Sequence, residues 1–237
     1  MCHDQARPRL CLALPGLNNL PYSPRALSTR PLVPFLQQAF DVTVVFRRVL
    51  STDGLEGLRC LEIEPGRHPM PVEPQHALSY FQPRGPEAMR YVDITLPAFS
   101  GRYAVRFDVI IEREWAWLGA LGDAFQAHGV PAILHTVSEF RGEQVRRLNM
   151  RRPWRVVSAW RDERRRLRGL GEAAAVVTES VQSARVLSAK VAGLSPHPVP
   201  LGVDRDLFHP LDRRDCRARL GWDDEDVVVL YVGSLNR

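Results

Sequence analysis

The 237-residue chain is 45% hydrophobic and 25% charged, as is usual for a globular protein with a buried core. No apolar run approaches the ~20 residues that cross a bilayer. Residues 1–9 also lack the apolar core of a signal peptide, so we expect a cytoplasmic protein. The net charge is +5, but Lys190 is the only lysine among 32 basic residues. Such an arginine excess indicates a GC-rich genome, so only local clusters of charge inform us about partners.

Short apolar runs alternate with amphipathic segments along residues 9–209. Apolar runs rich in β-branched residues predict strands buried on both faces, and a 3.6-residue apolar period predicts covering helices. Strand, helix and strand at this spacing predict a doubly wound, parallel, Rossmann-like α/β sheet of six or seven strands. The predicted strands are Arg9–Leu14, Asp41–Arg47, Leu58–Pro65, Arg106–Glu114, Pro131–Phe140, Glu172–Ser180 and His197–Asp204.

Helices are predicted between these strands, while residues 65–100 are richer in proline and glycine and predict a flexible insertion. Ser180 and Asp212 are the predicted N-caps of two of the helices, because their side-chain oxygens accept from free backbone N–H groups. The predicted helices are Leu27–Ala39, Trp115–Gly129 with one face of Trp117, Leu118, Leu121 and Phe125, Val181–Gly193 and Asp212–Gly221.

The last apolar run is Val227–Val232, six consecutive residues after an acidic turn. It predicts another strand of a helix-covered parallel sheet. Only five residues follow it, too few for a covering helix. We therefore expect one complete domain over residues 1–209 and only the start of a second domain over residues 210–237.

An ordered set of short motifs runs from the sixth predicted strand to Gly233. In chain order they are a strand ending in serine, a helix, proline then Gly-Val-Asp, a spaced Phe and Pro, a short Arg-x-x-Leu-Gly helix, and a strand ending in Val-Gly. They fall at Ser180, Pro200, Gly202-Val203-Asp204, Phe208, Pro210, Arg217–Gly221 and Val232-Gly233. The set resembles the family 4 glycosyltransferases of GT-B fold, and residues 107–114 and 130–143 are more loosely similar to one branch of that family.

The resemblance implies a retaining transferase that moves a hexosyl group from a nucleotide-diphosphate sugar to an acceptor hydroxyl of a glycan, lipid or small molecule. It implies no metal and no cofactor beyond that co-substrate. Residues 1–209 would be the amino-terminal, acceptor-side domain, and residues 210–237 the linker helix and first strand of the domain that binds the donor. The family's phosphate-binding lysine and paired glutamates would follow Arg237, so the resemblance implies a fragment with little or no activity alone.

The loop after the first strand contains Gly16 and Asn18, which we predict to bind substrate. Gly16 matches the family's glycine-bearing loop, where the backbone can approach a sugar or phosphate. The alternative is a turn glycine that requires a positive φ.

Arg113 and Glu114 follow the strand "DVII", where a cleft at the carboxyl ends of the strands would receive them. Many family members carry a histidine in this region, which this chain lacks. We predict a catalytic role for both residues, with Arg113 holding an anionic group through two hydrogen bonds. The alternative is an exposed Arg–Glu pair that contributes little.

His135, Ser138 and Glu139 end the strand "AILHTVSEF". Strand alternation places His135 and Glu139 on one face and Ser138 on the other. We predict acid–base work on an acceptor hydroxyl by the His–Glu pair and substrate binding by Ser138. The alternative is a hydrogen-bonded structural histidine. Asp204 and Phe208 match the family's hinge, where we expect Asp204 to cap a turn and Phe208 to anchor the linker.

Residues 141–168 hold eleven arginines against three acids, a local net charge of +8. Aromatic and apolar residues recur among them at spacings of three and seven, from Trp154 to Leu167, as in a helix that lies at a membrane interface. Peripheral contact with an anionic membrane, or a lipid-phosphate acceptor, would suit this segment. One alternative for this segment is a solvated helix packed on its own sheet. Another is non-enzymatic binding of anionic lipid or nucleic acid, of which we do not favour nucleic acid. For the whole chain, the alternative function is a GT-B-fold epimerase of sugar nucleotides.

Overall fold

A computed structural model represents the protein, and the chain divides into two compact units, Met1–Leu201 and Gly202–Arg237. None of the helices in the described part is both long and apolar enough to cross a bilayer. The residues that the structure describes are 6–19, 32–49, 57–65, 86–113, 115, 117–136, 153–200, 202, 205 and 208–231.

Seven parallel strands form one sheet in the first unit. They are β1 Arg9–Asn19, β2 Asp41–Val49, β3 Arg59–Glu62, β4 Val109–Arg113, β5 Ala132–Thr136, β6 Ala175–Thr178 and β7 His197–Pro198. Their order is β3-β2-β1-β4-β5-β6-β7, so the direction of winding reverses between β1 and β4. The doubly wound, Rossmann-like α/β sheet predicted from the sequence is confirmed.

The helices fall between the strands and after them. They are α1 Leu32–Ala39, α2 Pro86–Arg90, α3 Leu96–Tyr103, α4 Ala120–Gln126, α5 Pro153–Glu172, α6 Val181–Lys190 and α7 Arg213–Leu220. Both predicted N-caps are confirmed, since Ser180 accepts from Ser183 N and Asp212 accepts from Arg214 N and Asp215 N. Gly221 ends α7 with φ +71°, a left-handed conformation that glycine adopts without strain.

The core lies on both faces of the sheet, as the apolar runs predict. Along β1, Leu10, Leu12 and Leu14 pack in one buried cluster, while Cys11 and Ala13 pack in the other. This alternation follows from the two-residue period of a strand. Because each face is covered, the strand reads as a continuous apolar run rather than an alternating one.

Two predictions about local structure in this unit are wrong. The flexible insertion predicted for residues 65–100 is wrong for residues 86–100, which are helical and continue to Arg106 with a π-helical turn at 91–95 between α2 and α3, while residues 66–85 lie outside the described residues. Its apolar residues Tyr91, Leu96 and Phe99 are buried in the core, and this burial stabilises the helices despite Pro97. The helix predicted from Trp115 begins only at Ala120, because Gly119 has a left-handed φ of +95°.

The strand predicted at Val227–Val232 is also wrong for the residues that the structure describes. Val227–Tyr231 has no strand assignment, and Val227 and Val229 are 93% and 91% exposed. A strand needs a neighbour for its backbone hydrogen bonds, and no described strand pairs with this segment. Phe208 is 66% exposed, and Asp204 lies outside the described residues.

Candidate functional site

Three charged or titratable side chains meet at the carboxyl ends of β4, β5 and β6. Arg113 is the last residue of β4 and pairs in register with His135 on β5. Glu179 follows directly after Thr178, the last residue of β6. Because the strands are parallel, these three positions fall at the same edge of the sheet.

Glu179 lies close to both the Arg113 guanidinium and the His135 imidazole. Its Oε1 is 3.7 Å from Arg113 Nη2 and 3.9 Å from His135 Nε2. These distances exceed those of direct hydrogen bonds, so the contacts are electrostatic. Arg113 is only 2% exposed, and burial strengthens its attraction to the carboxylate. The alternative of an exposed Arg113–Glu114 pair is therefore wrong for Arg113.

A second buried guanidinium fixes the neighbouring helix to the same edge. Arg166 of α5 is 1% exposed, and its Nη2 donates to Thr136 Oγ1 at 2.9 Å. Its Nη1 lies 3.6 Å from Glu163 Oε2. Thr136 follows His135 on β5, so α5 is held directly beside the histidine.

A buried carboxylate on β4 orders the polypeptide that follows the strand. Glu112 is fully buried and accepts hydrogen bonds from Trp115 Nε1 at 2.6 Å, Gly119 N at 3.1 Å and Gly122 N at 2.7 Å. Burial raises the pKa of Glu112 to about 7, and the three donated hydrogen bonds oppose that rise. Glu112 thus holds Trp115 and the start of α4 in one arrangement.

Gly16 lies against the Trp115 side chain. A Cβ added at Gly16 would be 2.7 Å from Trp115 Cβ and 2.9 Å from its Cε3, closer than any carbon contact allows. Gly16 is buried, lies within β1 and does not have a positive φ, so the turn-glycine alternative is wrong. The glycine is needed because an indole packs on the backbone where β1 and β4 diverge.

Tyr91 packs against Trp115 beside its contact with Gly16. Tyr91 donates from its hydroxyl to Pro15 O at 2.7 Å, and its ring meets Trp115 edge-on at 5.7 Å. The guanidinium of Arg47 lies over the Tyr91 ring and is paired with Glu64 at 2.8 Å. The end of β1 is therefore fixed by packing on both sides.

The structure brings together two of the predicted site residues, Arg113 and His135. Glu114, Ser138 and Glu139 lie outside the described residues, and Asn18 belongs to β1 by its backbone while its side chain lies outside the description. The acidic partner of the histidine is Glu179, which sequence reasoning missed. Part of its signal was available, since Glu179 lies near the end of the predicted strand Glu172–Ser180, at the same edge of the sheet as Arg113.

The arrangement places two paired guanidinium groups and a proton-transfer group where open α/β sheets bind ligands. An imidazole beside a carboxylate can take or give a proton. Within the described ranges, no group of three or more His, Cys, Asp or Glu side chains is placed to hold a metal ion.

No protein-family model matches the chain, and a search of curated proteins finds no match. Among solved structures, the chain is similar to sucrose-phosphate synthase from Thermosynechococcus elongatus, with a TM-score of 0.60 and 16% identity over 96% of this chain and 56% of that one. The domain has the Rossmann-like fold of GT-B proteins.

A second similar structure is Phytolacca americana UGT2, solved with UDP-2-fluoro-glucose and pterostilbene. The TM-score is 0.50 and the identity 12%, over 89% of this chain and 57% of that one. Likeness at such identities shows the GT-B fold alone. The chain spans little more than half the length of each of these two proteins.

Proposed function

We propose that the chain is the acceptor-side half of a cytoplasmic, metal-independent, retaining glycosyltransferase of the family 4 type. The donor, a nucleotide-diphosphate sugar, would be bound by a second Rossmann-like domain outside these 237 residues. The observation that carries the proposal is the fold match over 96% of this chain but only 56% of sucrose-phosphate synthase. The exposed apolar segment Val227–Tyr231 supports it, because such a segment is suited to a sheet with further strands.

The proposed reaction joins the acceptor oxygen to the anomeric carbon of the donor sugar. The bond from that carbon to the diphosphate breaks, and the diphosphate leaves with the electron pair. Positive charge at the donor site stabilises the leaving group, so no nucleophile from the protein is needed. The proton of the acceptor hydroxyl must be removed on the acceptor side.

His135 is the proposed proton acceptor. It lies at the carboxyl edge of the sheet, beside the point where the winding reverses. Glu179 stabilises the imidazolium that forms, because its carboxylate is 3.9 Å from Nε2. Arg113 Nη2 lies 3.7 Å from the same Glu179 oxygen and thereby holds the carboxylate beside the histidine.

The test uses the protein extended through the reading frame that follows codon 237. We expect release of nucleoside diphosphate from one member of a panel of nucleotide sugars when acceptors are present. His135→Gln should lower kcat by about a hundredfold or more, the usual contribution of a general base. His128→Gln, on an exposed residue, is the matched control and should leave kcat unchanged.

Two outcomes would refute the proposal. One is an extended protein that folds but binds no nucleotide sugar of the panel. The other is equal loss of activity in His135→Gln and His128→Gln. Analysis of the sugar product distinguishes transfer from epimerisation, because an epimerase inverts a ring carbon and leaves the nucleotide attached.

A further inference from the structure

One face of α5 is lined by arginine around an exposed tryptophan. With 3.6 residues per turn, Trp160, Arg164, Arg168, Arg161 and Arg165 fall within an arc of about 140°. Leu170 and Arg166, both buried, lie on the opposite arc and pack towards the sheet. The helix therefore has an inner packed face and an outer basic face.

The basic face surrounds an open hollow of about 530 Å³. Its lining is Trp160, Arg161, Arg164, Arg165 and Arg168. Trp160 is 56% exposed, and the Arg164 guanidinium lies 4.8 Å from the centre of its ring.

Positive charge on this face exceeds the acidic charge that the described residues bring to it. Arg165 is paired with Asp93 at 3.1 Å, and Asp123 interacts with Arg165 and Arg168. Within the described part of the chain, no carboxylate lies within ion-pair distance of Arg161 or Arg164. Among the described side chains, the arginines of this face therefore outnumber the carboxylates that approach them.

Two exposed apolar side chains lie on the helical segment that contains Asp93, the partner of Arg165. Ile94 follows Asp93 in the π-helical turn and is 63% exposed. Met89, four residues before Asp93, is 65% exposed. Apolar side chains exposed together and rimmed by polar residues mark surfaces that contact a membrane or a protein.

We propose that this basic face docks on the surface of an anionic lipid bilayer. The arginines attract the headgroups, and Trp160 with Ile94 and Met89 enters the headgroup region. A nucleic acid or a soluble polyanion would satisfy the arginines but would leave these apolar side chains in water. The docking does not depend on the transferase activity proposed above, and it would bring a lipid-borne acceptor to the protein.

The test measures co-sedimentation of the 237-residue protein with vesicles. Binding is expected to vesicles of equal parts phosphatidylglycerol and phosphatidylcholine, not to phosphatidylcholine alone, and to weaken with salt. The triple variant Arg161→Gln, Arg164→Gln, Arg168→Gln should bind about a hundredfold more weakly, given the usual contribution of an arginine near an anionic surface.

The matched control removes the same charge from exposed arginines of other elements, Arg102, Arg106 and Arg185. This Arg→Gln triple variant should keep most of the binding. Tryptophan emission should shift to the blue on binding to the anionic vesicles, and the shift should be lost in Trp160→Phe. Circular dichroism checks that each variant is folded.

The inference is overturned if the protein does not bind anionic vesicles at low salt, or if both triple variants bind alike. A blue shift that persists in Trp160→Phe also overturns it. Binding of double-stranded DNA or inositol hexakisphosphate without binding of vesicles would assign the face to a soluble polyanion instead.

Discussion

Gly16 and Trp115 lie in direct contact where the sheet changes its direction of winding. A Cβ at Gly16 would be only 2.7 Å from Trp115 Cβ, and β1 and β4 are adjacent strands. The Trp115 indole donates a 2.6 Å hydrogen bond to Glu112, and the Tyr91 and Trp115 rings pack in a T-shaped arrangement. The contact joins β1 to the segment after β4, at the crevice where open α/β sheets bind ligands.

Gly16→Ala should therefore destabilise the protein. The added methyl overlaps a buried indole that Glu112 and Tyr91 prevent from moving, and overpacking of this kind costs about 1–3 kcal/mol of unfolding free energy. Urea unfolding followed by circular dichroism measures the effect.

Gly101→Ala is the control for this substitution. Gly101 lies in α3, and its added Cβ would meet only His128 Nε2 at 3.8 Å, an ordinary contact. Alanine should be neutral there or stabilise the helix by up to about 1 kcal/mol. Equal stability of the two variants would show that Gly16 and Trp115 are not in contact.

Glu112 should make the stability of the protein depend on pH. Its pKa is raised from 4.5 to about 7 in the folded state, so between these values the folded protein binds more protons than the unfolded chain. The unfolding free energy should then fall as the pH rises through this window, by on the order of 3 kcal/mol from a shift of this size.

Glu112→Gln isolates this contribution, because the amide has the shape of the protonated acid but does not titrate. The difference in unfolding free energy between the wild type and Glu112→Gln should change steadily from about pH 5 to about pH 7 and then level off. Parallel pH profiles of the two proteins would contradict a raised pKa at Glu112. Asp123, whose pKa burial also raises, is present in both proteins and cancels.

The buried Arg113–Glu179 pair should contribute more to stability than an exposed ion pair whose atoms lie closer together. Glu179→Gln removes the carboxylate charge that lies 3.7 Å from the buried Arg113 guanidinium, and breaking a buried pair costs about 3–5 kcal/mol. Asp93→Asn breaks an exposed pair with Arg165 at 3.1 Å and should cost less than about 1 kcal/mol. Thermal unfolding of both variants checks the order, and a larger loss in Asp93→Asn would contradict the assignment of Glu179.

The positions of the strands and their burial on both faces follow from local sequence, because an apolar run identifies a strand covered on both faces. The same logic brings Arg113 and His135 together, since parallel strands end at one edge. Glu179 was missed because its role depends on the register of β6 against β5, which aligns Thr136 with Thr178. Register is a property of two strands and is not readable from either one alone.

The remaining errors also come from contacts between distant residues. The helix begins only after Gly119, whose N–H donates to the Glu112 carboxylate, a bond that the helical pattern of residues 115–129 does not contain. Val227–Tyr231 has the composition of a strand, but a strand forms only beside a partner. Composition therefore predicts what a segment is able to form, and its neighbours decide what it does form.

The central claim is that the chain is one half of a sugar-nucleotide transferase, and a paired assay tests it most directly. The 237-residue protein and the protein extended through the downstream reading frame are incubated with labelled nucleotide sugars and acceptors at equal concentration. We predict transfer by the extended protein and none by the 237-residue protein alone. Sugar transfer at equal rates by the two proteins would contradict the claim.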